Sequence, residues 1–187
     1  MEYGKMECLI PRGTIARRVE TLALEIQRSY APGTELLLAV LLNGGMVFAA
    51  DLMRAMTMAL TVDTLAAASY EGRRSTGRLV WRAPLKMNPA GRHILVVDDI
   101  LDSGLTLKRV LEHLRSAGAT SVRSCVLLDK DTARHPEGLA HADYTGFRIP
   151  DRFVVGYGLD AEEKWRNLPD VMVLPDAENG DETAEKL

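Results

Sequence analysis

A chain of 187 residues, 47% of them hydrophobic and 26% charged, is long enough for one globular domain with a substantial core. Its net charge of -3 argues against a nucleic-acid partner, and no apolar run approaches the roughly 18 residues of a membrane span. Two cysteines, Cys8 and Cys125, are too few for a zinc-finger type of site, and residues 1–13 lack the apolar segment of a signal peptide. We therefore expect free thiols, a cytoplasmic location and no membrane partner.

The first half of the chain alternates between helical and strand patterns. Apolar residues at helical spacing predict a helix over 14–30, with Thr14 as its N-cap. The continuous apolar run 36–42 is typical of a buried strand. A helix is predicted over 46–56, and a strand over 58–65.

A polar stretch interrupts this alternation in the middle of the chain. Residues 69–77, SYEGRRSTG, are polar, contain glycine and show no periodicity, which predicts a mobile loop. A strand is predicted over 78–83, followed by a turn at 88–91.

The second half begins with the apolar run HILVVDD at 93–99, which predicts a strand. A helical stripe of leucine and valine follows and ends at Gly118, a typical C-terminal cap. Further strands are predicted over 121–130, 152–160 and 171–175.

The alternation of strands and helices predicts an α/β fold, a mostly parallel sheet with helices on both faces. Ligands of such sheets bind beyond the carboxyl ends of the strands. Polar or glycine-rich segments follow predicted strands in three places, which we treat as candidate sites: 43–45, 98–106 and 129–130.

The segment VVDDILDSGLT places three aspartates, Asp98, Asp99 and Asp102, at the end of a buried strand. Buried carboxylates are costly unless hydroxyl groups or a cation such as magnesium accompany them. The turn 102–106 leads directly into a helix whose first N–H groups can bind a phosphate, and Gly104 permits the tight turn. An ordinary N-cap would explain the same turn. Neither a Walker motif nor a dinucleotide fingerprint is present.

This segment resembles the phosphoribosyl-diphosphate signature of the type I phosphoribosyltransferases. Three more segments are similar to the hypoxanthine-guanine branch of that family: LLNGGMVFAADLM to its diphosphate loop, SYEGRRSTG to its lid, and the stretch 146–174 to its purine-binding hood. The start IPRGTIARRVETLALEI also fits. The resemblance extends from residue 8 to about residue 175.

The resemblance implies the type I phosphoribosyltransferase fold, a twisted sheet with helices on both faces and a small hood. We expect one domain over 1–176, with its core at about 34–147 and the hood formed by about 1–13 and 148–176. The acidic residues 177–187 are predicted to be a disordered tail. The family usually forms dimers or tetramers, so a homodimer or homotetramer is expected.

The implied reaction joins N9 of hypoxanthine or guanine to C1 of ribose 5-phosphate and releases diphosphate, giving IMP or GMP. Asp102 is then the general acid/base at N7 of the base. The resemblance assigns the ribose hydroxyls to Asp98 and Asp99, the Mg2+ ion to Asp160 with the same two aspartates, and the 5-phosphate to Ser103, Gly104, Leu105 and Thr106.

The remaining roles concern the base, the diphosphate and the lid. Lys130 would direct its ammonium to the exocyclic O6, Phe153 would stack on the purine, and the Val154 carbonyl would accept a hydrogen bond. The diphosphate is assigned to Asn43, Gly44 and Arg166, and the lid to Ser69 and Tyr70. Without the resemblance, Phe153 would be read as a core residue, Lys130 as a snorkelling surface lysine, and Arg166 and Asp160 as solvated surface residues.

The chain departs from the family pattern in two places. Asn43 stands where many members carry lysine, at a loop that often contains a cis peptide; backbone donors survive this change and a positive charge does not. Asp98 and Asp99 replace the common Glu-Asp pair, which shortens one side chain by a methylene group and keeps both carboxylates.

Two other functions remain open. A regulator that binds phosphoribosyl diphosphate or nucleotides without turnover would favour a basic surface, which the charge balance does not indicate. An enzyme of the same fold that prefers xanthine is compatible with Lys130, whereas adenine and pyrimidines are disfavoured. A structural protein would leave the acid-rich strand end without a purpose.

Overall fold

Strands and helices alternate along the chain as the sequence predicts. The computed structural model describes residues 6–69 and 79–175, so Tyr70 and the acidic segment 177–187 lie outside the described residues. In chain order the elements are β1 (Glu7–Ile10), α1 (Arg12–Arg28), β2 (Leu36–Leu41), α2 (Gly45–Ala55), β3 (Leu60–Ser69), β4 (Leu79–Ala83), β5 (His93–Leu101), α3 (Leu105–Ser116), β6 (Ser121–Asp131), β7 (Tyr144–Pro150), β8 (Val154–Val155) and β9 (Val171–Val173).

Six strands form the main sheet, in the order β4-β3-β2-β5-β6-β7. Four neighbouring pairs are parallel, and only β3 and β4 run antiparallel among the paired strands described for this sheet. Every residue of β2 is buried, because β2 is a central strand with helices on both faces. The predicted fold class is therefore confirmed.

The two faces of the sheet carry separate hydrophobic clusters. Leu36, Leu38 and Val40 of β2 point to the face that α1 and α2 cover. Leu37 and Ala39 point to the opposite face, where α3 packs. The alternation follows from the two-residue period of a strand. The predicted end of α3 is also confirmed, since Gly118 has a φ of 88° and donates its N–H to the Arg115 carbonyl at 3.0 Å.

Helix α1 begins earlier than predicted, at Arg12 instead of Thr14. Pro11 precedes it in the N-cap position and makes no side-chain cap hydrogen bond. The first helical amide is capped from far along the chain, since Arg12 N donates to Asp170 Oδ1 at 2.7 Å. A contact of this range leaves no local signal in the sequence.

The prediction of a strand over 152–160 is wrong except for β8. Gly156, Tyr157 and Gly158 all have positive φ, so the chain turns there and cannot continue as a strand. The neighbouring strand β7 was not predicted. It contains Gly146, where a Cβ would stand 2.5 Å from the Leu127 carbonyl oxygen of β6, so close packing requires a residue that weakens the strand pattern.

The edge strand β7 is held by a side chain from α1. Arg18 donates from Nε to the Gly146 carbonyl at 2.9 Å and from Nη2 to the Thr145 carbonyl at 2.7 Å. Glu25 binds the same guanidinium at 2.7 Å. The contact fixes α1 to the edge strand of the main sheet.

A second, three-stranded sheet has the order β1-β9-β8. It combines the N-terminal strand with the last two strands and has its own small cluster around Met6, Val155 and Met172. Residues next to β8 face the carboxyl ends of β5 and β6. None of the helices in the described part of the chain is long and apolar enough to cross a membrane.

Candidate active site

A crevice of about 160 Å³ lies between the carboxyl ends of β5 and β6 and the segment around β8. Six residues singled out from the sequence line it together. They are Asp99, Asp102, Lys130, Phe153, Val154 and Asp160. Ile100, Arg152 and Leu159 complete the lining. Residues more than 50 positions apart are thus brought to one place, as the strand-end argument predicts.

Asp98 and Asp99 lie inside β5, which extends two residues beyond the predicted end. Ile100 and Leu101 pair with β6, so Asp98 and Asp99 lie within a paired strand, near its carboxyl end. Asp99 N donates to Asp98 Oδ1 at 3.0 Å, and Ile100 N donates to Asp99 Oδ1 at 3.0 Å. The two carboxyl groups are also close enough to hydrogen-bond to each other.

Burial and then the charge of Asp99 raise the pKa of Asp98 well above its ordinary value. Burial also raises the pKa of Asp99, while hydrogen bonds from its surroundings and the charge of Arg166 oppose the rise. Both side chains keep some accessible surface, yet the carboxyl groups lie deep among protein atoms. Ribose hydroxyls or a cation would relieve this unfavourable pair.

We expect Asp98→Asn to stabilise the ligand-free protein at neutral pH. The native state of the wild type binds a proton that the unfolded chain releases near pH 3.8, so stability falls as pH rises from there through the raised pKa. Asparagine has no carboxyl group to deprotonate, so the variant does not lose stability in this way as the pH rises. Thermal melts at pH 8 should show a melting temperature about 2–4 °C above wild type, the shift expected of roughly 1 kcal/mol in a chain of this size. The exposed Asp131→Asn is the control, and a lower melting temperature for Asp98→Asn would contradict the argument.

The glycine segment after β2 packs directly against this pair. The Leu42–Asn43 peptide bond is cis, in agreement with the resemblance, since this loop often contains a cis peptide in the phosphoribosyltransferases. A Cβ on Gly44 would stand 1.9 Å from Asp99 Oδ2, and a Cβ on Gly158 would stand 2.4 Å from the Gly44 carbonyl oxygen. Close approach therefore requires glycine at both positions, and the two glycines join segment 43–45 to Asp99 and to the segment that follows β8.

For the reaction that the resemblance implies, Gly44→Ala is expected to raise the KM for phosphoribosyl diphosphate about tenfold, because Asp99 must rotate away from its position. A displacement of about 1 Å in a binding group can cost more than this. Steady-state kinetics with Gly13→Ala as the control tests it, since a Cβ on Gly13 has its nearest neighbour at 3.9 Å. An unchanged KM would show that the Asp99 position is unimportant.

Arg166 and Asp160 form an ion pair beside the glycine segment. Arg166 Nη1 lies 2.8 Å from Asp160 Oδ1 and donates to the Gly158 carbonyl at 2.9 Å. Asp160 Oδ2 accepts the Glu163 amide at 2.8 Å. Both oxygens of Asp160 are thus engaged, whereas Asp98 and Asp99 form a concentrated carboxylate pair that fits a hard divalent cation. Magnesium commonly uses one or two carboxylates together with substrate oxygens, so this donor set suits it better than Asp160 alone.

The turn that precedes α3 has the shape of an anion site. Gly104 occupies the N-cap position with a φ of 78°, a conformation that glycine adopts without strain. Ser103 Oγ lies 3.5 Å from Leu105 N. The first helical turn, 105–108, has no acidic side chain, so the positive end of the helix dipole is not neutralised there. The helix begins at Leu105, two residues before the apolar stripe that predicted it.

Lys130 is enclosed between two carboxylates at the crevice. Its Nζ lies 2.9 Å from Asp151 Oδ1 and 3.5 Å from Asp102 Oδ2, and its side chain is only 13% exposed. Partial burial opposes the charge, but hydrogen bonds and charges from Asp151 and Asp102 outweigh it and raise the pKa of Lys130. The alternative of a snorkelling surface lysine is therefore wrong, because the ammonium is held inside the site.

Phe153 is 55% exposed, which rules out the core-packing alternative. Its ring borders the crevice, while Val154 is buried and pairs with Val173. An exposed aromatic face next to a partly buried lysine is suited to a flat, polar heterocycle. Ser69, assigned to the lid, is the last residue of β3 and pairs with Leu79, because the antiparallel ladder with β4 continues to that point.

Sequence reasoning missed several residues that hold this site. Asp151 binds Lys130, and Gly158 supports Gly44. Asp129 is 5% exposed and pairs with Arg134; the sequence indicated 129–130 as a candidate site but assigned a role only to Lys130. A buried aspartate in the strand could have been recognised as a residue that needs a cationic partner.

Comparison with known proteins gives a consistent result. The phosphoribosyl transferase domain family matches residues 11–162. The hypoxanthine-guanine phosphoribosyltransferase of Aquifex aeolicus is 39% identical over 173 residues, covering 92% of this chain and 96% of the relative. The hypoxanthine-guanine-xanthine phosphoribosyltransferase of Tritrichomonas foetus is 36% identical over 163 residues, covering 87% and 88%. A solved structure of hypoxanthine phosphoribosyltransferase from Trypanosoma cruzi with the product IMP has a TM-score of 0.86 at 31% identity, covering 94% and 98%.

Proposed function

The chain belongs to the phosphoribosyltransferase family, and on this premise we propose that it is a purine salvage enzyme that converts hypoxanthine or guanine into IMP or GMP. The observation that carries the proposal is the crevice in which Asp102, Lys130 and Phe153 meet. The curated relatives support it, since those of Aquifex aeolicus and Bacillus subtilis are both named hypoxanthine-guanine phosphoribosyltransferases.

The crevice supplies three kinds of contact to a 6-oxopurine. The exposed ring of Phe153 offers a stacking surface. The Lys130 ammonium, held by Asp151 and Asp102, donates to O6 and so favours a 6-oxo base over a 6-amino one. The Asp102 carboxylate accepts the proton of the imidazole ring at N7 as N9 becomes a nucleophile.

The sugar lies on the aspartate pair and the turn before α3. Asp98 and Asp99 accept hydrogen bonds from the ribose hydroxyls. The 5-phosphate binds the amides and hydroxyls of 103–106, where the helix dipole is positive. These contacts hold C1 against N9, and this positioning supplies much of the rate.

The new bond forms between N9 and C1 as the bond from C1 to the diphosphate oxygen breaks, and the electron pair leaves with diphosphate. The amides of Asn43 and Gly44 and the guanidinium of Arg166 stabilise the growing negative charge. Asn43 supplies no cation at this loop, and among the described residues that we assign to the diphosphate the positive charge belongs to Arg166. Magnesium, bound by the aspartate pair with the sugar diphosphate, would neutralise part of the same charge.

An absorbance assay with a panel of bases tests the proposal. The purified protein is mixed with magnesium, phosphoribosyl diphosphate and, separately, hypoxanthine, guanine, xanthine or adenine. Nucleotide formed from hypoxanthine or guanine and not from adenine is the expected result. Tight binding of the sugar diphosphate without turnover of any base would overturn the enzyme and favour a regulator.

Xanthine is a second candidate base, favoured by the name of the Tritrichomonas foetus relative, which is a hypoxanthine-guanine-xanthine phosphoribosyltransferase. Lys130 would accept xanthine as well as hypoxanthine, because both carry O6. The same panel decides: a kcat/KM for xanthine that exceeds those of hypoxanthine and guanine would make xanthine the main substrate.

We also propose that the chain forms a homodimer or homotetramer. Met46 and Val62 are large apolar side chains that are 54% and 47% exposed, and Met46 directly follows the diphosphate loop. Light scattering measures the oligomeric state, and a monomer at micromolar concentration would contradict this proposal.

The free thiol of Cys8 and the phosphorylated substrates are consistent with the cytoplasmic location expected from the sequence.

A further inference from the structure

Residues 134–139, which we call the buttress segment, bind the carbonyl side of the turn that we assign to the 5-phosphate. Four consecutive carbonyls of the turn, 101–104, accept hydrogen bonds from this segment. The donors are Arg134 Nη1 to Leu101 O at 2.9 Å and to Asp102 O, His135 N to Ser103 O at 3.0 Å, and Leu139 N to Gly104 O at 3.0 Å.

Three groups donate these four hydrogen bonds, and Arg134 supplies the only side-chain donor among them. Its guanidinium is 18% exposed and its other terminal nitrogen, Nη2, binds Asp129 Oδ1, whose side chain is 6% exposed. The guanidinium group therefore binds two carbonyls of the turn and a buried carboxylate at the same time. Lysine has no such group, so this arrangement is specific to arginine.

Close packing and a second ion pair fix the segment in place. A Cβ on Gly138 would stand 2.3 Å from the Ser103 carbonyl oxygen, and a Cβ on Gly104 would stand 2.4 Å from the Leu139 carbonyl oxygen. Glu137 binds Arg109 of α3 at 2.5 Å. The segment is thus joined to β6 through Asp129 and to α3 through Arg109.

The carbonyl contacts determine where the amides point. In a trans peptide the C=O of one residue and the N–H of the next lie in one plane and point in opposite directions. Holding the carbonyls of 101–104 on the buttress side therefore turns the amides of 102–105 toward the other side. Those amides include the ones of Ser103, Gly104 and Leu105, three of the four residues that we assign to the 5-phosphate.

We propose that Arg134 is a positioning residue that, with Asp129 and the buttress segment, orients the amides of the turn before a phosphate binds. The inference rests on the proposed function, because it concerns the turn to which that function assigns the 5-phosphate. Arg134 itself touches no substrate. Its loss should weaken contacts to the 5-phosphate and leave contacts to base and ribose unchanged.

The experiment compares the affinities for IMP and for inosine, which has the same base and sugar and no phosphate. Titration calorimetry or NMR gives both dissociation constants for wild type, Arg134→Gln and Gly138→Ala. Gly138→Ala presses on Ser103 without changing any charge, so it tests the same loop if Arg134→Gln fails to fold. The matched controls are Arg148→Gln, which lines the same outer cavity as Arg134, and Gly13→Ala.

The expected result is that the ratio of IMP to inosine affinity falls at least about tenfold in both variants, with inosine binding unchanged and both controls like wild type. Equal weakening of IMP and inosine would show a merely structural role and overturn the inference. An unchanged ratio would overturn it as well, while the proposed function stands if the wild type binds IMP. A wild type that binds neither IMP nor phosphoribosyl diphosphate would overturn the proposed function and this inference with it.

Discussion

Asp102→Asn is expected to lower kcat/KM for hypoxanthine about 10²- to 10⁴-fold, the range that a positioned general acid/base contributes. Asparagine keeps the shape of the side chain and can still bind N7, but it cannot accept the proton. The Asp102 carboxylate is 56% exposed and faces the crevice beside Lys130, so the substitution causes little packing change. The loss should therefore appear mainly in kcat.

The control for Asp102→Asn is Asp131→Asn, which removes another exposed aspartate, at the end of β6. The binding of IMP should change little in Asp102→Asn, since the phosphate turn and Phe153 are retained. Steady-state kinetics at saturating phosphoribosyl diphosphate measures kcat directly. A variant with the kcat of wild type would show that Asp102 is not the general acid/base.

Lys130→Met is expected to lower kcat/KM for hypoxanthine and guanine roughly 10- to 100-fold. Methionine fills similar space, but the charged donor to O6 is lost, and a hydrogen bond to a charged group contributes about 1.5–3 kcal/mol. The variant also leaves Asp151 and Asp102 without their shared ammonium. The preference for a 6-oxo over a 6-amino base should decrease in the same proportion.

Lys164→Met serves as the control for this prediction, because Lys164 is an exposed lysine of the hood. Kinetics with hypoxanthine, guanine and adenine for both variants measures the effect. Asp151→Asn should show a smaller loss, since it disturbs the orientation of Lys130 and keeps its charge. An unchanged kcat/KM in Lys130→Met would mean that O6 is bound by another group.

The parts of the fold that were predictable have local signals. The run Leu36–Leu41 is apolar without interruption because β2 is buried from both faces, and α3 has its leucine stripe because one face packs on the sheet. The strand-end rule also predicts that Asp99, Asp102 and Lys130 lie at one edge of the sheet, because each follows a buried strand. Short-range patterns were sufficient for these features.

Features that depend on distant contacts were not predictable. Helix α1 begins at Arg12 because of Asp170, and β7 is a strand although Gly146 weakens its pattern. Arg134 lies in a polar loop without periodicity, and only the folded chain shows that it reaches the carbonyls of the turn. The roles that we propose for Phe153 and Arg166 come from the resemblance, since composition alone would have assigned these residues to the core and the surface.

The arginine that binds β7 has a consequence for how copies of this chain meet at high concentration. An outer strand offers free backbone groups that can pair with a strand from another molecule and start an aggregate. Arg18 occupies two successive carbonyls of that strand and places a charged side chain over it. Any molecule that added a strand there would have to displace Arg18 and its partner Glu25. The contact thus discourages sheet growth from one chain to the next.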